Sequence, residues 1–412
     1  MNEQKFDALH KKSVGLAVHG DIEALFDAPD CDAHALDCLT NPRKHPAVVR
    51  LGPCECGGKA CASVCFYDAI THDADGHVVI SDQDCVGCGD CIKACGDHNL
   101  AEIKEVIPVF KDINDGQQVF ALIAPAFISQ FGSDMTPGRL RTAFKKLGFA
   151  GMIEVALFAD ILTLKEALEF DRSVTHDEDY VLTSCCCPMW VAMIQKVYSR
   201  LVPHVPPSVS PMVACGRAIK VMHPEAKTVF VGPCLAKKAE ARLKDIADAV
   251  DYVLTFQETA DIFDAAGIDP VSLEEDLRDH SSAGGRLYAR TGGVSEAVTA
   301  TLDMLRPGRL IPLKSLQGNG VPACKQILKD VMEGRISANF IEGMGCVGGC
   351  VGGPRALIPR EEGASNVDAY AEKAASRTPV NNAYVQDLLS RLGFDTIESL
   401  IAGDTMFTRR LE

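Results

Sequence analysis

The sequence has 412 residues, 56 of them Asp or Glu and 41 Lys or Arg, with a formal net charge of −15. This length exceeds one ordinary core and predicts two or three domains, while the acidic balance argues against nucleic-acid binding, which needs a basic surface. No stretch approaches the roughly 20 apolar residues that span a bilayer, and the first residues lack an apolar signal core. We therefore expect a cytoplasmic protein without a membrane partner.

The 18 cysteines are the most informative feature of the composition. A large chain in a reducing compartment seldom forms structural disulfides, so metal ligation or redox chemistry is the better explanation. Free cysteine also packs as a small apolar residue, which explains isolated thiols but not clusters with ligand spacing. The N-terminal segment 1–48 is predicted to mix helix and loop. Its Cys31 and Cys38 lack a standard ligand spacing, and we expect packing or chance to explain them.

Residues 49–105 contain eight cysteines and few long apolar runs, so metal is expected to organise this segment. Its second half has the bacterial ferredoxin spacing C-x2-C-x2-C-x3-C, in which the fourth thiol ligates the other of two clusters. A degenerate copy with an inserted Gly57-Gly58 precedes it. The pattern predicts an α+β ferredoxin-like domain with two 4Fe–4S clusters that relay electrons. We assign one cluster to Cys54, Cys56, Cys61 and Cys95, and the other to Cys65, Cys85, Cys88 and Cys91.

Residues 106–412 alternate between strand and helix patterns. This alternation predicts an α/β domain with a largely parallel sheet flanked by helices, in which sites form beyond the carboxyl ends of strands. The last 40 residues are predicted to be helical. The predicted strands lie within 117–125, 151–159, 180–185 and 228–234, and the clearest helices within 160–170 and 188–201.

Three segments of this second domain place cysteine beside small residues and a turn. They are TSCCCPMW (183–190), GPCLAKKAE (232–240) and EGMGCVGGCVGGP (342–354). None is a ferredoxin run, a zinc ribbon or a CxxC redox site. Four thiolates from three distant loops would bind a cluster within a rigid α/β domain.

The three segments resemble the signature motifs of the iron-only (FeFe) hydrogenases, in the family's order and spacing, and the ferredoxin-like region matches too. The resemblance implies an oxidoreductase of hydrogen metabolism that interconverts H2 with protons and electrons. It implies an H-cluster, which is a 4Fe–4S cube joined to a two-iron unit with CO, cyanide and a bridging dithiolate. The implied partners are H2, protons, a ferredoxin or similar redox protein, and hydrogenase maturation proteins.

The same resemblance implies roles for individual residues of the H-cluster domain. Lys237 would donate a hydrogen bond to an iron-bound cyanide, as a compact cation can. Met344 and Pro233 would line the two-iron unit, and the strand end Ala124-Pro125-Ala126 would cup its other side. The implied cube ligands are Cys187, Cys234, Cys346 and Cys350, of which Cys350 also bridges to the two-iron unit.

The first motif departs from the commoner form, which has two cysteines before proline. Counting back from Pro188 makes Cys187 the cube ligand and Cys186 the thiol that passes the proton outward. Counting forward from Thr183 shifts these roles to Cys186 and Cys185. We prefer the proline anchor, because Pro188 should fix the start of the following helix. The triple cysteine, with Gly232 in place of the usual methionine, indicates a less common subgroup.

A proton route is expected on the helix over 160–170, which resembles the family helix with two relay glutamates. Glu166 and Glu169 are spaced i, i+3 and share one helical face, and Asp160 precedes them on the same helix. Pro206 falls where the family has a relay serine, so water or Ser208 would have to bridge.

Three further residues have no clear part in the motifs. Cys215 and Cys324 are isolated and are expected in the core. Tyr288 precedes TGGVSEA (291–297), which also resembles a family segment, and it either lines the cofactor or packs as a core aromatic.

Two other functions remain open for the chain: a hydrogenase-like protein of iron–sulfur assembly or electron transfer without the two-iron unit, and an H2 sensor.

Overall fold

The computed structural model describes residues 1–25, 32–183, 186–403 and 406–411, and it has a mixed α/β architecture. Short 3-10 turns connect many of its elements. The helices are α1 (Glu3–Val18), α2 (Ala33–Thr40), α3 (Lys59–Ser63), α4 (Asp90–Lys93), α5 (Val106–Asn114), α6 (Pro137–Lys146), α7 (Ala156–Ser173), α8 (Pro188–Lys196), α9 (Pro211–Met222), α10 (Ala236–Glu240), α11 (Phe256–Ala266), α12 (Ala283–Leu287), α13 (Gly293–Leu305), α14 (Val321–Met332), α15 (Arg360–Glu372) and α16 (Ala383–Arg391). The strands are β1 (Val48–Arg50), β2 (Ile70–His72), β3 (Val78–Ile80), β4 (Leu100–Glu102), β5 (Val119–Ile123), β6 (Gly151–Glu154), β7 (Val181–Leu182), β8 (Lys227–Gly232), β9 (Tyr252–Thr255), β10 (Ser315–Asn319) and β11 (Phe340–Met344).

The cysteine-rich region is built from two antiparallel pairs, β1 with β4 and β2 with β3. Its internal repeat has a structural counterpart, because α3 and α4 each start directly after a glycine with positive φ. These are Gly58 (φ 65°) and Gly89 (φ 80°), in a conformation that side chains rarely adopt. Each short helix carries one buried thiol, Cys61 or Cys91.

Two parallel sheets form the rest of the scaffold, as the alternating pattern predicted. One has the strand order β6-β5-β8-β9 and the other β10-β11-β7. Parallel strands present their carboxyl ends at the same edge of a sheet, where sites collect. Strands β5 and β7 end just before segments that the sequence singled out, and β8 and β11 end within the first residues of such segments. The topology therefore brings those segments together.

Some predicted boundaries are wrong. The run 151–159 is a strand only to Glu154, and α7 begins at Ala156 and continues to Ser173. Every residue from Ala156 to Phe170 is buried. The helix therefore has no solvent-exposed face, and its sequence lacks the alternation of apolar and polar residues that would mark where it begins. Helix α8 ends at Lys196 and is followed by a 3-10 turn. The described part of the last 40 residues contains one α-helix, α16, and short 3-10 turns.

Among the described residues, no helix is long and apolar enough to cross a membrane.

Candidate metal centre

A cavity lies where the carboxyl ends of the strands meet, and its walls come from all the motif segments. We call it the cofactor cavity. Ala126 is buried but is not among the residues that line it. The predicted site residues in its lining are Ala124, Pro125, Cys186, Cys187, Pro233, Cys234, Lys237, Tyr288, Met344, Cys346 and Cys350.

The first motif is fixed by the start of α8. Cys187 is the residue before the helix, Pro188 is its first residue, and the Gly345 amide donates to Cys187 Sγ at 3.3 Å. Trp190 donates from its indole nitrogen to the Thr183 carbonyl at 2.6 Å. This geometry is what the proline anchor requires. The alternative assignment involves Cys185, which lies outside the described residues, so the roles of these thiols stay predictions.

The third motif is anchored through Glu342, which is fully buried. Its carboxylate accepts hydrogen bonds from the Gly292 amide at 2.7 Å and from the amide and hydroxyl of Ser295 at 2.9 and 2.7 Å. These donors belong to the segment 291–297, at the start of α13. Burial raises the pKa of Glu342 in spite of them. The carboxylate thus ties strand β11 to the helix beside the cofactor cavity.

The thiols of the cofactor cavity have raised pKa values because of their surroundings. Burial, together with the charge of neighbouring thiols such as Cys187, raises the pKa of Cys234 to about 11 and that of Cys350 to about 12. Burial raises the pKa of Cys346 and Cys186 as well. Iron can replace these protons, because metal ligation requires thiolates. Within the described ranges, no three His, Cys, Asp or Glu groups could hold a single metal ion. Several thiols around a cavity fit a multi-iron cluster better.

Lys237 supplies a buried cation to this cavity, with 6% of the residue exposed. Burial opposes its charge, but Glu240 at 2.6 Å from Nζ raises the pKa of Lys237. Glu240 was not singled out from the sequence, although its i, i+3 spacing from Lys237 on α10 was a usable signal. The pair keeps an ammonium group at a site where anionic ligands could be held.

The eight cysteines of residues 49–105 lie close to one another. The charge of Cys65 acts on Cys85, Cys88 and Cys91, where burial is the main cause of a raised pKa. Cys61 interacts with Cys95 and Cys56, and it also acts on Cys91. The division of these thiols between two clusters therefore stays a prediction.

The predicted proton-route residues are distributed along α7. Asp160 accepts from the amide of Ser282 at 2.6 Å and from that of Gly285 at 3.0 Å, so it anchors α12 and is an unsuitable relay. Glu169 accepts a hydrogen bond from Ser208 Oγ at 3.1 Å. Ser208 is therefore in reach of one relay glutamate, as the sequence left open. Sequence reasoning missed Lys165, which pairs with Glu169 one turn away.

The other two cysteines, Cys215 and Cys324, are fully buried in the core, as predicted. Cys38 is also buried in the core, while Cys31 lies outside the described residues. Tyr288 combines both of its predicted environments, because it lines the cofactor cavity and is only 3% exposed.

Residues 117–354 match the family described as the iron only hydrogenase large subunit, C-terminal domain. This match covers more than half of the chain, including all three motif segments. The chain belongs to this family. Its thiol-lined cavity is therefore the part of the molecule in which the family's iron–sulfur chemistry is to be sought.

Relatives within the hydrogenase family have different descriptions. The chain is 30% identical to a periplasmic [Fe] hydrogenase large subunit of Nitratidesulfovibrio vulgaris, over 61% of this chain and 72% of that protein. It is 29% identical to iron hydrogenase 1 of Clostridium pasteurianum, over 57% of this chain and 48% of that protein. It is 22% identical to cytosolic iron-sulfur assembly component 3 of Rattus norvegicus, over 75% and 79%.

The fold agrees with the family. The structure resembles an apo [FeFe]-hydrogenase from Chlamydomonas reinhardtii with a TM-score of 0.56 and 22% identity, over 66% of this chain and 89% of that one. At this identity the likeness concerns the fold.

Proposed function

We propose that this protein is an FeFe hydrogenase that interconverts H2 with protons and electrons at an H-cluster. One observation carries the proposal: the same cavity is lined by Cys187, Cys234, Cys346 and Cys350 and by the side chain of Lys237. A cube alone needs only the thiols. A two-iron unit with anionic ligands needs additional room and a cationic hydrogen-bond donor.

The residues of the cavity fit such a group and would divide its binding between them. The four thiolates would hold the cube, with Cys350 bridging, and Lys237 would donate to a cyanide. Met344, Pro233, Ala124 and Tyr288 would form the walls and exclude water. When bound, the H-cluster supplies the iron chemistry that makes or breaks the H–H bond.

Protons would pass through Cys186, the thiol of the first motif that does not hold iron in this assignment. Cys186 lines the cofactor cavity, and the charge of Lys237 acts on it. Beyond it, the route would use Glu166 and Glu169 of α7, with Ser208 between them.

Electrons would travel through the two accessory 4Fe–4S clusters to and from a ferredoxin or similar redox protein. A pocket supports this path, because it is lined both by Cys88 of one accessory set and by Cys234 and Cys346 of the cofactor cavity. A cluster held by Cys88 would therefore lie beside the cube.

The second candidate is a role in iron–sulfur assembly without the two-iron unit. It is favoured by one observation, namely that the assembly-component relative matches 75% of this chain, against 61% for the periplasmic hydrogenase. The Lys237 side chain in the cavity lining favours hydrogenase chemistry, because the cyanide ligands of a two-iron unit would accept a charge-assisted hydrogen bond from it.

A pair of cysteine variants tests the proposal in protein produced with hydrogenase maturation proteins. Cys350→Ala should abolish H2-driven dye reduction, because it removes a thiolate from both parts of the cofactor. Cys215→Ala changes a buried thiol outside the cavity and should retain the activity. An iron-replete, matured wild-type protein without H2-driven dye reduction would contradict the proposal and favour the assembly role.

A further inference from the structure

Lys165 is a buried lysine on the helix that carries both relay glutamates. Only 2% of its side chain is exposed, the same fraction as for Glu169, with which it forms an i, i+4 ion pair. A buried ammonium group is costly unless it is paired and hydrogen-bonded. The presence of a buried lysine beside the expected proton route therefore needs a physical explanation.

Helix α7 connects the cofactor cavity to the protein surface. Near its middle, the hydroxyls of Thr163 and Tyr288 lie 2.9 Å apart, and Tyr288 lines the cofactor cavity. Six residues later, Glu169 lines a surface pocket, which we call the outer pocket. At 1.5 Å per residue, these levels of the helix are about 9 Å apart. The outer pocket is also lined by Arg172, Glu178, Asp179 and His204.

Lys165, Ser208 and Glu169 form a closed triangle of hydrogen bonds at the base of the outer pocket. Lys165 Nζ donates to Glu169 Oε1 and, at 3.1 Å, to Ser208 Oγ. Ser208 Oγ donates to Glu169 Oε2 at 3.1 Å. A serine hydroxyl has one hydrogen and two acceptor lone pairs. Since an ammonium can only donate, its bond to Ser208 directs the single hydroxyl hydrogen towards the carboxylate.

We propose that Lys165 is a positioning residue of the proton route, which holds the Ser208 hydroxyl pointing outward to Glu169. This inference rests on the proposed hydrogenase function. The orientation leaves one lone pair of Ser208 Oγ able to accept a proton from the inner side while its own hydrogen moves to Glu169. No bond other than O–H bonds is made or broken, and the proton leaves through the outer pocket. Lys165 acts through Ser208 and Glu169 and touches no cofactor.

The first test needs no H-cluster. Crystal structures of the wild type, Lys165→Met and Lys165→Arg, each purified with its accessory iron–sulfur clusters from cells without hydrogenase maturation proteins, should show Ser208 Oγ within hydrogen-bond distance of Glu169 in the wild type and the arginine variant. In Lys165→Met we expect Ser208 Oγ to rotate away from the carboxylate. An unchanged Ser208–Glu169 contact in Lys165→Met overturns the positioning role, whatever reaction the protein catalyses.

The second test uses the matured protein, with rates normalised to the infrared intensity of the bound H-cluster. Lys165→Met should lower H2 turnover about tenfold and raise the solvent deuterium isotope effect, because proton transfer becomes limiting. Lys165→Arg should recover most of the turnover. Lys104→Met is the matched control, since it breaks another buried pair, Lys104–Glu102 at 2.7 Å, and should change turnover less than about twofold by the same reasoning.

The outcomes separate the inference from the proposed function. Equal losses in Lys165→Met and Lys104→Met, with an unchanged isotope effect, would reduce Lys165 to a structural residue and overturn the inference. A wild-type protein that is inactive and binds no H-cluster would refute the hydrogenase function, and the crystallographic test would still decide on the positioning of Ser208.

Discussion

At the scale of single residues, charge decides what the cofactor cavity can hold. Lys237 is buried beside Glu240, and its pKa is raised, so it remains a cation at neutral pH. Under the proposed function this cation would donate to a cyanide of the two-iron unit, a ligand that a protein holding only a cube lacks.

Lys237→Met should lower H2 turnover about a hundredfold, because losing one partner of a buried charged hydrogen bond costs about 3 kcal/mol. The cube should remain, as seen in its electron paramagnetic resonance signal. Lys227→Met is the control, since Lys227 is more than a third exposed in its ion pair with Asp251. Equal turnover in both variants would remove Lys237 from the site.

Asp160 makes a pH dependence testable. Burial raises the pKa of Asp160 to about 7, although hydrogen bonds from Ser282 and Gly285 oppose the shift. The folded state therefore binds this proton more tightly than the unfolded state, whose aspartate titrates near 3.9. Its contribution to stability is present below about pH 4, falls as the pH rises to about 7, and is then constant.

The measurement is the free energy of unfolding of wild type and Asp160→Asn between pH 4 and 8. The difference, wild type minus variant, should fall by about 4 kcal/mol up to pH 7, at 1.36 kcal/mol per pKa unit. Asparagine also presents an amide to the Ser282 N–H, but this cost does not vary with pH. A difference that is flat across this range contradicts the assignment.

Local sequence predicted some of these residues and missed others for a physical reason. Pro188 sets the start of α8 through its own ring, so the position of Cys187 could be predicted from neighbours alone. Asp160 lies on the same predicted helix as the two glutamates, but its partner Ser282 is 122 positions away, so local sequence could not predict that it anchors α12. Ser208 could be offered only as an alternative, because its contact with Glu169 depends on how a distant segment packs.

At the scale of elements, close packing of β11 against α8 holds the third motif in place. A Cβ on Gly343 would lie 2.1 Å from the Trp190 ring, which a full-size side chain cannot tolerate. The strand therefore requires glycine two residues before the motif's loop begins. This requirement is invisible in the sequence, where Gly343 reads as one of many glycines around Cys346.

Gly343→Ala should destabilise the protein by about 3 kcal/mol, the upper part of the range for overpacked cores. Thermal unfolding of the metal-free protein measures this effect without reference to function. Gly15→Ala is the control, because α1 leaves the space around Gly15 open. That substitution should stabilise the helix by about 0.5–1 kcal/mol. Equal melting temperatures for the two variants would contradict the packing argument.

The sequence also predicted some strand and helix boundaries and missed others. The parallel arrangement of β5, β6 and β8 followed from apolar runs that alternate with helical patterns. The start of α7 could not be predicted from this pattern, because a helix that is buried on every side has no period of exposure. Tertiary packing decided where the strand ended and the helix began.

At the scale of the whole molecule, the proposed hydrogenase function requires electrons to pass from the cysteine-rich region to the cofactor cavity. Cys91→Ala should remove about four irons per chain, one cluster of the kind that ferredoxin spacing binds. Electron delivery from a reduced ferredoxin should fall, whereas H2/D2O exchange, which needs no external electrons, should continue. Cys38→Ala, in the N-terminal core, is the control. Loss of exchange together with electron delivery would contradict separate relay and catalytic sites.

The proposed hydrogenase function depends on a two-iron unit in the cofactor cavity. Infrared spectroscopy of the matured protein tests this most directly, because CO and cyanide stretches arise from that unit and from no protein group. We expect these bands, with frequencies that shift when H2 is added. Iron-replete protein that has the cube signal but no CO or cyanide bands would contradict it.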